Sequence, residues 1–225
     1  MMTDIEAIYS RHSVRNYLDK PIESDKIAAL NELISECNEE GNLHLQLLTD
    51  AGRAFNRLLN KAMGLGSAPS LIACVGRDDD TLDERVGYYG EKIVLLAQKL
   101  GLNTCWAGTF NAKNVQAEIR PGERLAIVIA IGYGKDQGKP HKSKTFEQVT
   151  AGPADKPDWF RKGAQLALLA PTAINQQKFE IRLNEDGTVT ITDKKGPFTK
   201  VDLGIVKYHF EVGSAYRKSD PTNPA

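Results

Sequence analysis

The chain has 225 residues and balances 29 lysines and arginines against 29 acidic residues, which excludes a whole-protein basic footprint for nucleic acid. Its 41% hydrophobic share is that of an ordinary globular protein with a core large enough to fold unstapled, and at roughly 150 residues per domain the length corresponds to about one and a half domains. Three cysteines, Cys37, Cys74 and Cys105, with no CxxC pair, exclude a complete intramolecular disulfide framework and a cysteine-rich zinc site. Free thiols suit a reducing cytoplasm. The opening stretch lacks an apolar signal region, and no apolar run approaches the roughly 18 residues a spanning helix needs. The expectation is a soluble, cytoplasmic protein with no membrane or nucleic-acid partner.

Thr3-Asp4-Ile5-Glu6 is a capping-box pattern that predicts a short helix ending near Ser10. Pro21 breaks the chain, and Ser24 is placed to cap a second helix in which Ile27, Leu30, Leu33, Ile34 and Cys37 recur at helical spacing. Leu43, Leu45 and Leu47 alternate with polar neighbours up to the Asp50-Ala51-Gly52 turn signal and read as a strand. Residues 54–63 read as helical. Ser70 to Val75 reads as a buried strand, and Val86 to Leu100 as a long apolar helix stopped by Gly101. Leu125 to Ile131 is the strongest strand pattern, apolar throughout and closed by Gly132. The polar stretch from Lys135 to Pro157 reads as a long exposed connection.

After it the pattern starts again. Asp158 is placed to cap a helix whose apolar positions are Phe160, Ala164, Leu166, Ala167 and Leu169. Lys178 to Leu183 alternates as a strand, Glu185-Asp186-Gly187 is a turn signal, and Val189 to Thr192 returns as the partner strand. Val201 to Gly213 is a final helix, and the tail from Ser219 to Ala225 reads as loose. Asp25 to Gly52 and Asp158 to Gly187 share one order of helix, alternating strand and glycine turn, and Gly90 and Gly204 sit similarly in the helices that follow. An internal repeat is therefore expected. Residues 1–140 form its first unit, 141–157 a linker, 158–218 a second, shortened unit and 219–225 a tail, all in one compact body.

Phosphate-loop, HExxH and GxSxG motifs are absent. The histidines His12, His44, His141 and His209 have no ligand spacing, so no metal site is expected. The informative stretch is Arg11-His12-Ser13-Val14-Arg15-Asn16-Tyr17. Arg11 and Arg15 place two permanently charged forks around the Ser13 hydroxyl, a set suited to phosphate. A second stretch runs Ala170-Pro171-Thr172-Ala173-Ile174-Asn175-Gln176-Gln177. It ends a helix with proline, bares its backbone with small residues and sets the amides of Asn175 and Gln177 just before a strand. Such amides match the alternating carbonyl and N–H groups of a planar ring. Taken singly, solvated arginines and an ordinary helix-to-strand turn give the same two patterns.

Together the stretches resemble the FMN-dependent nitroreductase family. Its members carry an Arg-(Arg/His)-Ser-Val/Ile-Arg-x-Tyr/Phe element and an Ala-Pro-Ser/Thr-x-x-Asn-x-Gln-Pro element. The first is nearly complete here. The second departs, with Lys178 where the family has proline and Phe179 where it has tryptophan. The segment from Gly101 to Phe110 is similar to the one whose backbone faces the flavin ring in the family. Gly132-Tyr133-Gly134 followed by Lys142-Ser143-Lys144 is similar to the late basic element of its phosphate site. Ordinary members bind FMN at a two-fold dimer interface and draw the two elements from different subunits. In them the proline element follows the arginine element by about a helix length; here it stands in the second repeat, and Cys37 to Asn42 occupies its place in the first. The chain thus resembles the internally duplicated, pseudo-dimeric TM-type nitroreductase subfamily. That resemblance implies an α+β, FMN-binding fold with mixed or antiparallel sheets flanked by helices, two fused subunit-like repeats and a monomer acting as its own dimer.

Carried over residue by residue, the resemblance puts Arg11, His12 and Ser13 at the phosphate and ribityl end, with added charge from Lys142 and Lys144. Arg15 lies nearer the pyrimidine edge, where a cation stabilises a reduced flavin. Pro171, Thr172, Ala173, Asn175 and Gln177 line the ring, and Gly108 and Thr109 turn backbone N–H groups toward its redox-active nitrogen. The implied activity is reduction of a small-molecule acceptor, a nitroaromatic, quinone or related compound, by NAD(P)H through FMN. The cofactor carries the chemistry, so no catalytic side chain is required. A flavin-binding or carrier protein without reductase activity is the alternative, allowed by the departures at Lys178 and Phe179 and by the shortened second repeat. Replacing Arg11 and Arg15 with alanine is expected to abolish FMN uptake and leave the fold intact.

Overall fold

The computed structural model describes residues 2–55 and 68–214. Its helices are α1 (Asp4–Ser10), α2 (Ser24–Gly41), α3 (Leu82–Lys99), α4 (Phe146–Val149), α5 (Asp158–Ala167) and α6 (Thr199–Ser214). Its strands are β1 (Leu43–Leu48), β2 (Ser70–Arg77), β3 (Asn103–Ala107), β4 (Glu123–Gly132), β5 (Thr150–Ala151), β6 (Phe179–Leu183) and β7 (Val189–Asp193). Four strands form an antiparallel sheet in the order β1-β2-β4-β3, and β5-β6-β7 form a smaller mixed sheet. The architecture is α+β, with antiparallel pairing dominant.

The central pair, β2 and β4, is apolar on both faces because both faces are covered. Ile72, Cys74, Ile127, Ile129 and Ile131 pack in one cluster with Leu30 and Ile34 of α2 and Ile93 of α3. The intervening residues Leu71, Ala73, Val75, Val128 and Ala130 join a second cluster with Val14, Tyr17 and Phe55. A period of two thus divides one strand pair between two cores, and each fully buried isoleucine or leucine contributes about 1.5–3 kcal/mol. The second cluster anchors the arginine-bearing segment, since Val14 and Tyr17 belong to it.

Helix α6 crosses α3 where Gly204 meets Gly87. A Cβ on Gly87 would lie 2.0 Å from the Val201 carbonyl oxygen, and one on Gly204 2.0 Å from that of Glu84. The helix backbones touch there, and only glycine fits on either side. Gly90, the position matched to Gly204 in the sequence, instead faces the Trp106 ring, 2.6 Å from where its Cβ would be.

The Thr3 capping box forms as expected, with the Glu6 N–H bonded to Thr3 Oγ1 at 3.2 Å and the Thr3 N–H to Glu6 Oε2 at 2.7 Å. The caps of the next two amphipathic helices differ. Glu23 and Pro157 are the N-cap residues of α2 and α5, and Ser24 and Asp158 are the first residues inside. Helix α3 starts at Leu82 rather than Val86, because Thr81 N–H bonds to Asp79 Oδ1 at 2.9 Å and turns the chain early. The Gly187 turn joins β6 to β7 as expected, with the glycine at φ 84. The stretch from Lys135 to Pro157 is not uniformly exposed: it holds α4 and β5, buries Val149 completely and sets Phe146 edge-on to Phe160. Within the span read as helical, Ala54 and Phe55 close a 3-10 turn, Gly52–Phe55. Residues 56–63 and the tail from Ser219 lie outside the described residues.

Candidate functional site

On leaving α1 the chain runs along the free edge of β3, where Ser13 bridges to Thr104 and the Val14 N–H donates to the Thr104 carbonyl at 3.0 Å. Burial of Val14 and Tyr17 fixes this segment, so the side chains between them are presented in a set direction. The start of the polar connection is tied over it. Asn103 of β3 accepts the Gly134 N–H at 2.9 Å and donates to Gln137 at 3.0 Å. Gly138, at φ 71, passes so close that its Cβ would lie 2.8 Å from that of His12. The loop 171–177 closes the other side.

Two adjoining cavities result. The larger, about 820 Å³, is lined by Arg11, His12, Arg15, Lys139 and His141, with Asp136 as its acidic member, and by Pro171, Thr172 and Asn175. The smaller, about 280 Å³, is lined by Trp106, Gly108, Thr109, Phe198 and Asp202 together with Ala173. Ser13, Arg15, Pro171, Thr172 and Ile174 border both. Residues far apart in sequence therefore build one continuous cleft, basic at one end and mostly apolar at the other.

Arg11 is the buried cation of the basic end, its side chain only 4% exposed. It is the C-cap residue of α1, where a positive charge complements the carbonyl end of the helix. Its Nε lies 3.9 Å from Oε1 of Glu91 and has no hydrogen-bond partner. Glu91, fully buried on α3, accepts from Trp106 Nε1 at 2.8 Å and meets His209 Nε2 at 2.9 Å. His209 Nδ1 lies 3.1 Å from the Leu166 carbonyl. A carbonyl can only accept, so Nδ1 carries a proton and the contact between Nε2 and Glu91 holds another. The carboxylate beneath Arg11 is thus fully engaged from its far side. Burial, and then the neighbouring Arg11 and His141, hold His12 below its ordinary value. Burial is the main cause, and the two neighbouring basic groups add to it.

The loop 171–177 is strained. Ile174, Asn175 and Gln177 have φ of 48, 55 and 45, and Ile174 is 89% exposed at the border of both cavities. A β-branched residue in the left-handed region is a true outlier, costing on the order of 1–3 kcal/mol. Hydrogen bonds hold it. Gln177 N–H donates to Thr172 Oγ1 at 3.0 Å, Ala173 N–H to Asp202 Oδ1 at 2.9 Å, and Gln176 Nε2 to Asp202 Oδ2 at 2.8 Å. Asp202 is 5% exposed, and burial raises its carboxyl to about 6 against the pull of those bonds from Gln176 and Ala173.

The cavities gather Arg11, His12, Ser13, Arg15, Gly108, Thr109, Pro171, Thr172, Ala173 and Asn175. Lys142, Lys144 and Gln177 stand behind the wall rather than in it. The Lys142 carbonyl accepts from Asn175 Nδ2 and Gln177 Nε2, both at 2.9 Å. Lys144 gives its backbone N–H to Gln177 Oε1 at 2.8 Å and its Nζ to the Gln177 carbonyl at 2.7 Å. The amide of Gln177 therefore braces the loop, and the basic connection contributes Lys139 and His141 to the lining instead. Sequence reasoning missed Phe198 and Asp202. Phe198, at φ 56, lays its ring over Gly108, 2.5 Å from where a Cβ would sit. The left-handed Phe198 follows Gly196-Pro197, a turn signal that marks the break before α6.

No group of three or more histidine, cysteine, aspartate or glutamate side chains able to hold a metal occurs among the described residues. Nor is any helix among them long and apolar enough to cross a membrane.

An α+β core carries a cleft that is cationic at one end and mostly apolar at the other, and comparison with known proteins shows the family to which such a chain belongs. Residues 4–214 match the family described as Putative TM nitroreductase, and the chain belongs to that family. Among solved structures it is similar to a putative nitroreductase from Thermotoga maritima MSB8, with a TM-score of 0.68 and 23% identity over 94% of this chain and 83% of that one. It is also similar to an FMN-dependent nitroreductase from Clostridium difficile R20291, with a TM-score of 0.51 and 19% identity over 64% of this chain and 96% of that one. A third, described as a putative NADH dehydrogenase/NAD(P)H nitroreductase from Bacteroides thetaiotaomicron VPI-5482, has a TM-score of 0.51 and 19% identity over 65% of this chain and 95% of that one. No curated protein matches the sequence.

Proposed function

We propose that the chain is an oxidoreductase that holds one FMN in the two-part cleft and passes electrons from NAD(P)H to a nitroaromatic, quinone or related acceptor. The observation that carries this reading is the joining of a cationic cavity to an apolar one by residues from both ends of the chain. Arg11, His12, Ser13 and Arg15 supply the anion end, and Gly108, Thr109 and Pro171 to Ala173 the ring end. The fit is supported by the buried Arg11 guanidinium, which lines the cavity and whose Nε makes no hydrogen bond, and by the depressed His12, beside which an anion would be favoured. Electron transfer is the cofactor's own chemistry. The chain's side chains bind, orient and exclude water, and Arg15 holds a positive charge beside the ring cavity.

The same reading makes the protein a cytoplasmic monomer built from two unequal repeats. In its favour, the Clostridium and Bacteroides chains are covered almost entirely yet account for only 64% and 65% of this one. The α3–α6 crossing, backbone to backbone at Gly87 and Gly204, is also a joint between the proposed repeats. The test is steady NAD(P)H oxidation by the purified chain with FMN and a quinone or nitro acceptor. Turnover that needs all three components supports the proposal. Flavin uptake without turnover identifies a carrier instead.

A further inference from the structure

Asp202 is the acidic residue of the smaller cavity, facing a lining in which Arg15 is the other charged side chain. It belongs to none of the motifs above. Its two oxygens are spent on one task. Oδ1 accepts the Ala173 N–H at 2.9 Å, and Oδ2 accepts Gln176 Nε2 at 2.8 Å. The same Gln176 nitrogen donates to the Pro197 carbonyl at 2.8 Å. One carboxylate thus ties the strained loop bearing Ile174 and Asn175 to the Pro197–Phe198 segment that covers Gly108. Gln176 Oε1 is buried without a partner, so both amide hydrogens are committed to this bridge and its acceptor side is idle.

We propose that Asp202 is the positioning residue of the smaller cavity: its buried carboxylate holds the 171–177 loop and the Pro197–Phe198 segment in place as the two walls between which the ring of the cofactor binds. The ring assignment rests on the function proposed above; the bracing of the two walls does not.

The carboxylate opposes folding while it does so. Its value is raised from 3.8 to about 6, so the folded state holds the proton more tightly than the unfolded one. The stability this gives is present below about 4 and lost as pH rises through about 6, leaving the ionised form a net burden at neutral pH. A charge kept in a fold against its stability is the pattern of a group retained for a site.

The test is Asp202→Asn, which keeps the shape and an acceptor for Ala173 but turns a donor toward Gln176. Gln176 then answers with its idle Oε1 and releases Pro197. Amide exchange at Ala173, Asn175 and Gln177, followed in the chain without added FMN, is expected to be about tenfold faster, from the lost Pro197 bond together with the charge removed from the bonds to Ala173 and Gln176. FMN affinity falls by a similar factor, while the thermal midpoint at pH 7.5 stays level or rises. Unchanged loop exchange overturns the proposal. So does a thermal midpoint that drops in step with affinity, because that marks an ordinary structural contact. If the unsubstituted chain takes up no FMN, the assigned function fails, and the exchange and thermal measurements still decide the role of Asp202.

Discussion

Arg11 and Arg15 share a motif but not an environment. Arg15 is exposed, its Nη1 no nearer than 3.5 Å to the Ser13 carbonyl, whereas Arg11 is buried over Glu91. Their burial therefore revises the expectation for the fold: removal of Arg15 is expected to be harmless to it, and removal of Arg11 is not. Arg15→Ala is expected to weaken flavin binding with stability unchanged within about 0.5 kcal/mol. Arg11→Ala leaves a cavity above a buried carboxylate and costs on the order of 2–4 kcal/mol, read from urea unfolding. His12 gives a pH signature. It is depressed in the free cavity, and an anion restores it, so binding takes up a proton and affinity rises as pH falls through the ordinary histidine range near about 6.5. Sulfate, which does not titrate there, is the probe; His12→Asn should flatten the profile, and an unchanged profile assigns the proton elsewhere. Ile174→Asn, a residue tolerant of the left-handed region, is expected to add about 0.5–1 kcal/mol of stability while weakening flavin binding through the lost apolar contact. A thermal melt and a flavin titration read both.

How much was legible differs among these residues. The arginine motif and the proline loop could be read because local residue types state their chemistry. Lys142 and Lys144 could be recognised only as charge. Which of the residues in that polar stretch reach the cavity depends on how Asn103 and Gly138 seat it over His12. Asp202 reads as one more polar position on a helix, since its burial exists only once α6 lies beneath a loop from an earlier part of the chain.

Among the elements, the strands and the long helices were legible from periodicity, because β2 and β4 are apolar on both faces and α3 and α6 carry sustained apolar positions. The caps were not. Ser24 and Asp158 are good cap residues, yet both fall one place inside, so packing of the apolar face outweighed a capping preference of about 1 kcal/mol. The one-turn helix α4 was hidden inside a polar stretch, signalled by a Thr145–Gln148 capping-box pattern and by Phe146 and Val149 three residues apart. The α3–α6 joint gives the prediction of this scale. Gly204→Ala drives a methyl against the Glu84 carbonyl, 2.0 Å from its position, and should destabilise by on the order of 3 kcal/mol. The urea midpoint falls while the slope is retained. A wild-type midpoint means the helices can part without loss.

For the whole molecule, the net charge of zero conceals an uneven distribution. Arg11, His12, Arg15, Lys139 and His141 converge on one cavity, and the smaller cavity beside it is largely uncharged. On the proposed reading, a cleft whose walls come from residues 11–16 and 171–175 of the same chain needs no partner subunit to complete it. That is the central claim, and it fixes a number. The most direct measurement is the flavin-to-chain ratio from the visible spectrum of the FMN-saturated protein, taken together with its mass by light scattering. The account predicts one FMN per chain in a monomer. A colourless protein, or one flavin shared between two chains of a dimer, would contradict it.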